Sequence, residues 1–389
     1  MASRVCYLYD TLMNLFRPMP FRDARHLSTL CWMVCGLLGS GWIALDEWVP
    51  FMAGRAVYAQ STVRRFRRWL SNPRVDALRL YAGLVRGALA GQSDKRLYVA
   101  LDTTVLWNQF CVVQASLVWR GRSVPLAWKT LEHASASVAF KDYRGVLGFT
   151  ARLLEGREVV LLADRGFAHT ELLRWARKAG WHFRIRCKRD VGLFWRDGRR
   201  LALRLSAGEL RFYAGVFLGN ARVPMEIAVG WEKGAKEPWV VMTDEAAEPD
   251  TLHDYGLRFA VEEGFLDCKS GGFQWESSRL RDADTLQRLG LVMATATLAL
   301  ACQGAAIVEE GRRREVDPHW TRGLSYVRIG WNGVRRALAG GWGLVATLNL
   351  PTALDPEPVR PSRRQPDRSR WADDLPSRYF FFFALPSTG

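Results

Sequence analysis

RLYVALDTTVLW, residues 96–107, and REVVLLADRGF, residues 157–167, decide how this chain is read. Each is a short apolar run of strand length, bounded by turn-compatible residues rather than continued into a helix. The first delivers Asp102 at its end, followed by Thr103 and Thr104; the second ends on Asp164, followed by Arg165 and Gly166. The carboxyl ends of neighbouring strands are where sites gather on open α/β sheets. Two aspartates placed side by side there repel each other unless a cation lies between them. Carboxylates with no His or Cys nearby suit a hard, oxygen-seeking ion such as Mg²⁺. Taken singly, either aspartate would serve as well at a strand end facing water.

Outward from these two strands the pattern is consistent. CVVQASLVWRGRSVPLAWKTLE (111–132) reads as a hairpin around Arg-Gly-Arg-Ser, AFKDYRGVLGFTARLLEG (139–156) and HTELLRWARKAG (169–180) as helices, and WHFRIRCKRD (181–190) as a further strand. Strand, hairpin, helix, strand, helix, strand makes an α/β fold with a mixed sheet and helices packed on it. Residues 191–246 alternate apolar and polar with frequent Gly, which predicts an all-β insertion between a first core segment, 93–190, and a second, 247–350. Residues 1–92 read as helical. Within them YAQSTVRRFRRWLSNPRVD sets Arg64, Arg65, Arg67 and Arg68 around Phe66, Trp69 and Leu70, with Ser61 as cap and Asn72-Pro73 as stop. So basic an amphipathic helix fits a DNA-docking unit such as a helix-turn-helix; a solvated basic face is the alternative. Residues 351–389 are Pro- and Arg-rich and predict a flexible tail, although the terminal RYFFFFALPSTG carries enough apolar surface to dock somewhere.

A third carboxylate would complete a site for two metal ions. YGLRFAVEEGFLDCKSGGFQWESS, 255–278, offers Glu262, Glu263 and Glu276. On one continuous helix at about 100° per residue, Tyr255, Arg258, Glu262 and Lys269 share a stripe roughly 60° wide, and Glu263 lies about 80° from Tyr255 on the other side. Gly271-Gly272 separates Glu276 from that helix. Glu262 is therefore the candidate, with Arg258 and Lys269 placed to meet phosphate oxygens. A surface helix with ordinary ion pairs along it remains the other reading.

The bulk composition agrees with a nucleic-acid partner. In 389 residues, 55 Lys+Arg stand against 39 Asp+Glu, for a net charge of +16 and a pI near 9.9. Such a balance favours polyanions, nucleic acid before membrane surface. Seven scattered cysteines without a CxxC pair suit a reducing cytosol, and six dispersed histidines give a zinc site no support. The N-terminus lacks the features of a signal peptide. Two apolar stretches, 30–45 and 289–308, are marginal for a membrane span and are expected as core helices.

Tyr255-x2-Arg258-x3-Glu262-x6-Lys269, with LDTT around Asp102 and ADRGF around Asp164, resembles the DDE transposases of bacterial insertion sequences, in the branch carrying that Tyr-Arg-Glu-Lys signature. The resemblance spans about residues 60–300. It implies an RNase H-like catalytic core interrupted by the β insertion, and an N-terminal helical DNA-binding region. It further implies a catalytic triad of Asp102, Asp164 and Glu262 holding two Mg²⁺ ions, for which Mn²⁺ would substitute. It also implies cut-and-paste transposition on double-stranded DNA, a homodimer pairing both ends, and a bacterial cytoplasmic, nucleoid-associated location. Trp239 falls where relatives stack a flipped base, Arg186 and Lys188 where they contact DNA, and Tyr255 joins the DNA-binding set. Phe259 stands where some relatives have Trp. A domesticated DNA-binding protein and an RNase H-like nuclease without strand transfer are the alternatives.

Overall fold

A computed structural model of the chain describes residues 2–52, 56–92, 96–188, 190–219, 223–269, 272–358 and 379–382. Four helices come first: α1 (Ala2–Leu15), α2 (Ala24–Ser40), α3 (Ala59–Leu70) and α4 (Ala77–Ala88). Then β1 (Leu97–Leu106), β2 (Phe110–Trp119) and β3 (Arg122–Glu132) form an antiparallel meander. Helix α5 (Phe140–Leu153) leads to β4 (Val159–Ala163), which lies parallel to β1. Helix α6 (Thr170–Lys178) leads to β5 (His182–Arg186), parallel to β4.

Among its described residues the region expected as an insertion contains strands and no helix, and these strands continue the same sheet. Its strands are β6 (Leu193–Phe194), β7 (Leu210–Leu218), β8 (Val223–Gly230) and β9 (Trp239–Thr243), and β9 pairs antiparallel with both β8 and β5. Two helices, α7 (Pro249–Gly256) and α8 (Phe259–Lys269), follow, then the long α9 (Ala283–Glu309) and α10 (Tyr326–Gly340). A last strand, β10 (Tyr379–Phe382), lies parallel on β7 at the sheet edge. The main path across the sheet is β10-β7-β8-β9-β5-β4-β1-β2-β3.

Alternation along β1 and β4 determines what faces the site. Val99, Leu101, Leu161 and Ala163 enter the main core with residues of α5 and α6, whereas Ala100, Val160 and Leu162 pack against Val261 and Phe265 of α8. With a period of two, Asp102 and Asp164 fall on the second set, the face covered by α8. Burial on both faces is why these strands read as nearly unbroken apolar runs.

Helix α9 is apolar and long enough to cross a membrane, but its apolar stretch is almost wholly buried inside the protein. The expectation of a core helix holds there, and α2 is likewise buried over Leu27–Leu38. Where α9 crosses α10 the backbones touch. A Cβ on Gly304 would lie 1.9 Å from the Tyr326 carbonyl oxygen, and one on Gly330 2.0 Å from that of Leu300. Only glycine fits at such a crossing.

The tail departs from its expected flexibility as far as Glu357. Trp119 Nε1 donates to the Pro351 carbonyl at 3.2 Å, and Tyr326 Oη donates to Asp355 at 2.6 Å. Buried Arg322 pairs with Asp355 at 2.8 Å, and buried Arg313 pairs with Glu357. Buried guanidinium groups require such partners, and this segment supplies them.

Replacing Gly by Ala inside a helix ordinarily stabilises by about 0.5–1 kcal/mol. Gly304→Ala and Gly330→Ala are expected to do the reverse, lowering the melting temperature through an overpacking cost of about 1–3 kcal/mol. A thermal melt at or above that of the parent would show that the helices do not touch there.

Candidate active site

The last paired residues of β1 and β4 are Leu101 and Ala163, so Asp102 and Asp164 each follow immediately on adjacent parallel strands. Strand β1 runs on to Leu106, which places Asp102 inside it rather than at its end. Asp164 does terminate β4, and its carboxylate accepts the Gly166 N–H at 2.9 Å, starting the 3-10 turn Arg165–Phe167. Asp102 Oδ1 accepts the Thr103 N–H at 2.8 Å.

Glu262 comes from the first turn of α8, held on the sheet by Val261 and Phe265. Between it and Asp102 lies Arg258. This side chain is 6% exposed, and it donates through Nη1 to Asp102 Oδ2 at 3.1 Å and through Nη2 to Glu262 Oε1. Glu263 turns away toward Arg122 at 3.6 Å, and the Glu276 backbone carbonyl accepts from Trp107 Nε1 at 3.1 Å. Glu262 thus shares the Arg258 guanidinium with Asp102.

The single-helix stripe is corrected. Leu257 and Arg258 form a turn between α7 and α8, so Tyr255 and Glu262 belong to different helices. Tyr255 is 1% exposed and packs with Leu252, Leu210 and Phe212, which removes it from the expected set of surface contacts to DNA. Its ring instead meets Trp239 edge-on at 5.1 Å and lies 5.9 Å from the Arg258 guanidinium. The side chain of Lys269 lies outside the described residues.

Trp239 is half-buried on β9, tilted against Phe259 at 5.7 Å. Arg186 pairs with Glu237 at 2.7 Å, Arg165 reaches the same carboxylate at 3.3 Å, and Lys188 is exposed just beyond β5. On α3, Arg64, Arg67 and Arg68 are exposed, whereas Arg65 is half-buried and donates to Thr29 Oγ1 at 3.1 Å, so it turns inward and away from the basic face. Sequence reasoning missed Arg279, Arg281 and Trp107; the guanidinium of Arg281 lies 4.5 Å over the Trp107 ring. The only available signal was a pair of arginines in SSRLRD, beyond the Gly-Gly break.

Electrostatics mark Asp102. Burial raises its pKa to about 6, Arg258 and the Thr103 N–H oppose the rise, and Asp164 and Glu262 add to it. Burial also opposes the charge of Arg258, but Tyr255, Asp102 and Glu262 outweigh it, and its pKa is raised. All three acids are hard oxygen donors, the set that suits a divalent cation such as Mg²⁺. Among the described residues, the group whose ligand atoms all lie within 4.8 Å of one another is a different one, Glu158, His182 and Glu245. It sits at the starts of β4 and β5, the opposite end of those strands from Asp164. Arg96 pairs there with Glu158 at 2.9 Å and Arg184 with Glu245 at 2.7 Å, so its acids already have counter-charges.

A mixed sheet flanked by helices is compatible with an RNase H-like DDE domain. Residues 132–299 match the family model of the transposase DDE domain, which supports a DDE transposase family and transposase function in general. That family acts on DNA and normally uses a divalent metal. The matched segment contains Asp164 and Glu262 and begins after Asp102. No curated protein matches the chain.

The raised pKa has a direction in pH. The folded protein binds the Asp102 proton more tightly than the unfolded chain does. This contribution is complete below about pH 4 and lost as pH rises through about 6. Without divalent metal, the melting temperature of Asp102→Asn relative to the parent is therefore expected to climb between those pH values and level off above them. A difference that stays constant over that interval would contradict the assignment.

Proposed function

We propose that this protein is the transposase of a bacterial insertion sequence. In this reading it binds the terminal inverted repeats of its element as double-stranded DNA and carries out cut-and-paste transposition. Asp102, Asp164 and Glu262 are the catalytic and metal-binding residues. The observation that carries the proposal is the meeting of Asp102 and Glu262 on one buried guanidinium, with Asp164 on the adjacent strand and the same sheet face.

The three carboxylates would hold two Mg²⁺ ions, or Mn²⁺ in their place. When bound, such ions supply Lewis-acid stabilisation at the phosphodiester and activation of the attacking oxygen. The chain's own residues do the rest. Arg258 keeps two of the acids oriented and offers guanidinium donors to a scissile phosphate. The walls around Ala100, Val160, Leu162, Val261 and Phe265 keep water from the back of the site and raise the electrostatic strength of groups inside it. Trp239 with Phe259 gives an aromatic surface on which an unpaired base near the cut end stacks. Arg186 and Lys188 on β5 and beyond, Lys269 on α8, and Arg64, Arg67 and Arg68 on α3 contact the DNA backbone. The working form is a homodimer in the synaptic complex, in the bacterial cytoplasm with the nucleoid.

Glu262→Gln and Asp164→Asn are expected to reduce Mg²⁺-dependent cleavage of the element's ends at least about 100-fold, the effect of losing several kcal/mol of charge stabilisation. Binding of the same duplex in EDTA should remain. Retained nicking by either variant would remove that residue from the catalytic set. Transfer of a pre-cut 3′ end into plasmid DNA distinguishes a transposase from a nuclease, and cleavage without joining would reject the strand-transfer step.

A further inference from the structure

Two bays open beside α3, and they share a wall. One, of about 450 Å³, is lined by Ser61, Arg64, Arg67 and Arg68. The other, of about 480 Å³, has Arg67 and Ser71 on one side and Arg279, Arg281 and Thr285 on the other. Arg67 belongs to both. Five arginines from segments more than two hundred residues apart thus form one continuous rim.

Their charges are not spent within the protein. Helix α3, AQSTVRRFRRWL, contains no acidic residue. Among the described residues, Arg64, Arg67, Arg68 and Arg279 have no carboxylate partner, and Arg281 lies over the Trp107 ring at 4.5 Å. Two acids border the second bay, Asp46 and Asp282, and Asp282 is engaged as the N-cap of α9, accepting from Thr285 N–H at 2.8 Å. Arginine therefore outnumbers acid along the whole rim.

The backbone at this rim is also unusual. Trp107, Asn108, Gln274 and Arg279 hold φ of 50°, 53°, 59° and 57°, and they make up four of the five non-glycine residues in the left-handed region among those described. A left-handed tryptophan costs free energy that surrounding structure must offset. Here the indole N–H is fixed to the Glu276 carbonyl while the ring face is given to Arg281. Trp107 follows β1 five residues after Asp102, about 17 Å along the strand.

We propose that this rim is a docking surface for the phosphate backbone of duplex DNA, carrying it from α3 over Arg279 and Arg281 to Trp107 and the strand that holds Asp102. The inference rests on the DNA-transacting function proposed above and extends it. The N-terminal basic helix does not bind alone, because half of its surface is supplied by the segment just before α9. Arg281 and Trp107 clamp the sugar-phosphate chain nearest the site, and Arg64, Arg67 and Arg68 hold it farther out.

The test is binding of a labelled random-sequence 40-bp duplex by the full chain in EDTA, followed from low to moderate salt. This readout needs neither metal nor cleavage, so it stands or falls separately from the catalytic assignment. Arg279→Ala with Arg281→Ala is expected to flatten the slope of log K against log salt by about 2 and to weaken binding roughly 50-fold at 0.1 M salt. Arg279→Lys with Arg281→Lys should restore most of the slope. Arg314→Ala with Arg336→Ala, an equal loss of exposed charge elsewhere, should leave it unchanged. The proposal is overturned if the Arg279/Arg281 pair keeps the parent slope, or if the Arg314/Arg336 pair loses as much. A melting temperature equal to the parent's is required of each variant; one that melts early is replaced by its glutamine counterpart, which removes the same charge and is held to the same expected result.

Discussion

Carboxylates gathered in a half-dry site repel one another, and Arg258 is the charge that lets the arrangement stand. Its guanidinium joins Asp102 on the sheet to Glu262 on the helix, with the rings of Tyr255 and Phe259 at 5.9 and 5.0 Å. A charge so enclosed is tolerable because it is paired, and removing either partner would leave the other buried and unmatched. The apolar contact of Val261 and Phe265 with β1 and β4 supplies the opposing mechanical part, since it fixes where α8 lies. A cation held by Asp102 and Glu262 would take over contacts that Arg258 now makes. In the proposed function, metal uptake and the position of this arginine would therefore be coupled, and Arg258 would be freed toward phosphate as the acids gain another counter-charge.

The second constraint is that the helical N-terminal region is not a tethered module. Phe66, Trp69 and Leu70 of α3 belong to the same apolar core as β1, β4 and α9, and Arg288 of α9 donates to the carbonyls of Leu70 and Val75. Trp128 Nε1 donates to the Gln287 carbonyl, and the Gln287 amide returns a bond to the Trp128 carbonyl, each at 2.9 Å. Helix α9 thus ties α3 and β3 to one scaffold. A basic face held this way has a set distance to the carboxylates, so DNA bound along it, as proposed, would arrive in a defined register instead of sampling many.

What could be read from the sequence follows from how local each feature is. Strands β1 and β4 were legible because burial on both faces leaves an apolar run that ends in an isolated acid. The link of Glu262 to Arg258 was legible for a subtler reason. The helical phase that selected it assumed one continuous helix, but only the relation between Arg258 and Glu262, four residues apart across the start of α8, needed to hold. Tyr255 shows where that assumption failed. It belongs to α7, its phase is set by packing on β7 and β9, and it turns into the core. Arg65 was misread likewise, because nothing local shows that Thr29 stands within reach. Arg279 and Arg281 were invisible as parts of a surface, since only the tertiary path of α9 carries them to α3.

Tyr255 also explains why residues of such different fates occur at fixed spacing. Its ring supports Trp239 from below and lies against Arg258, and Trp239 in turn leans on Phe259, the residue after Arg258. One buried aromatic thus meets the half-buried indole and the guanidinium together. Edge-to-face contact of this kind is directional, so the indole is held at an angle instead of sliding over its support. Phenylalanine at 259 preserves the tilted ring contact while offering no N–H of its own. If a base stacks here as proposed, its polar recognition would have to come from other side chains, and Arg186 of β5, paired with Glu237, is a charged donor that could supply it.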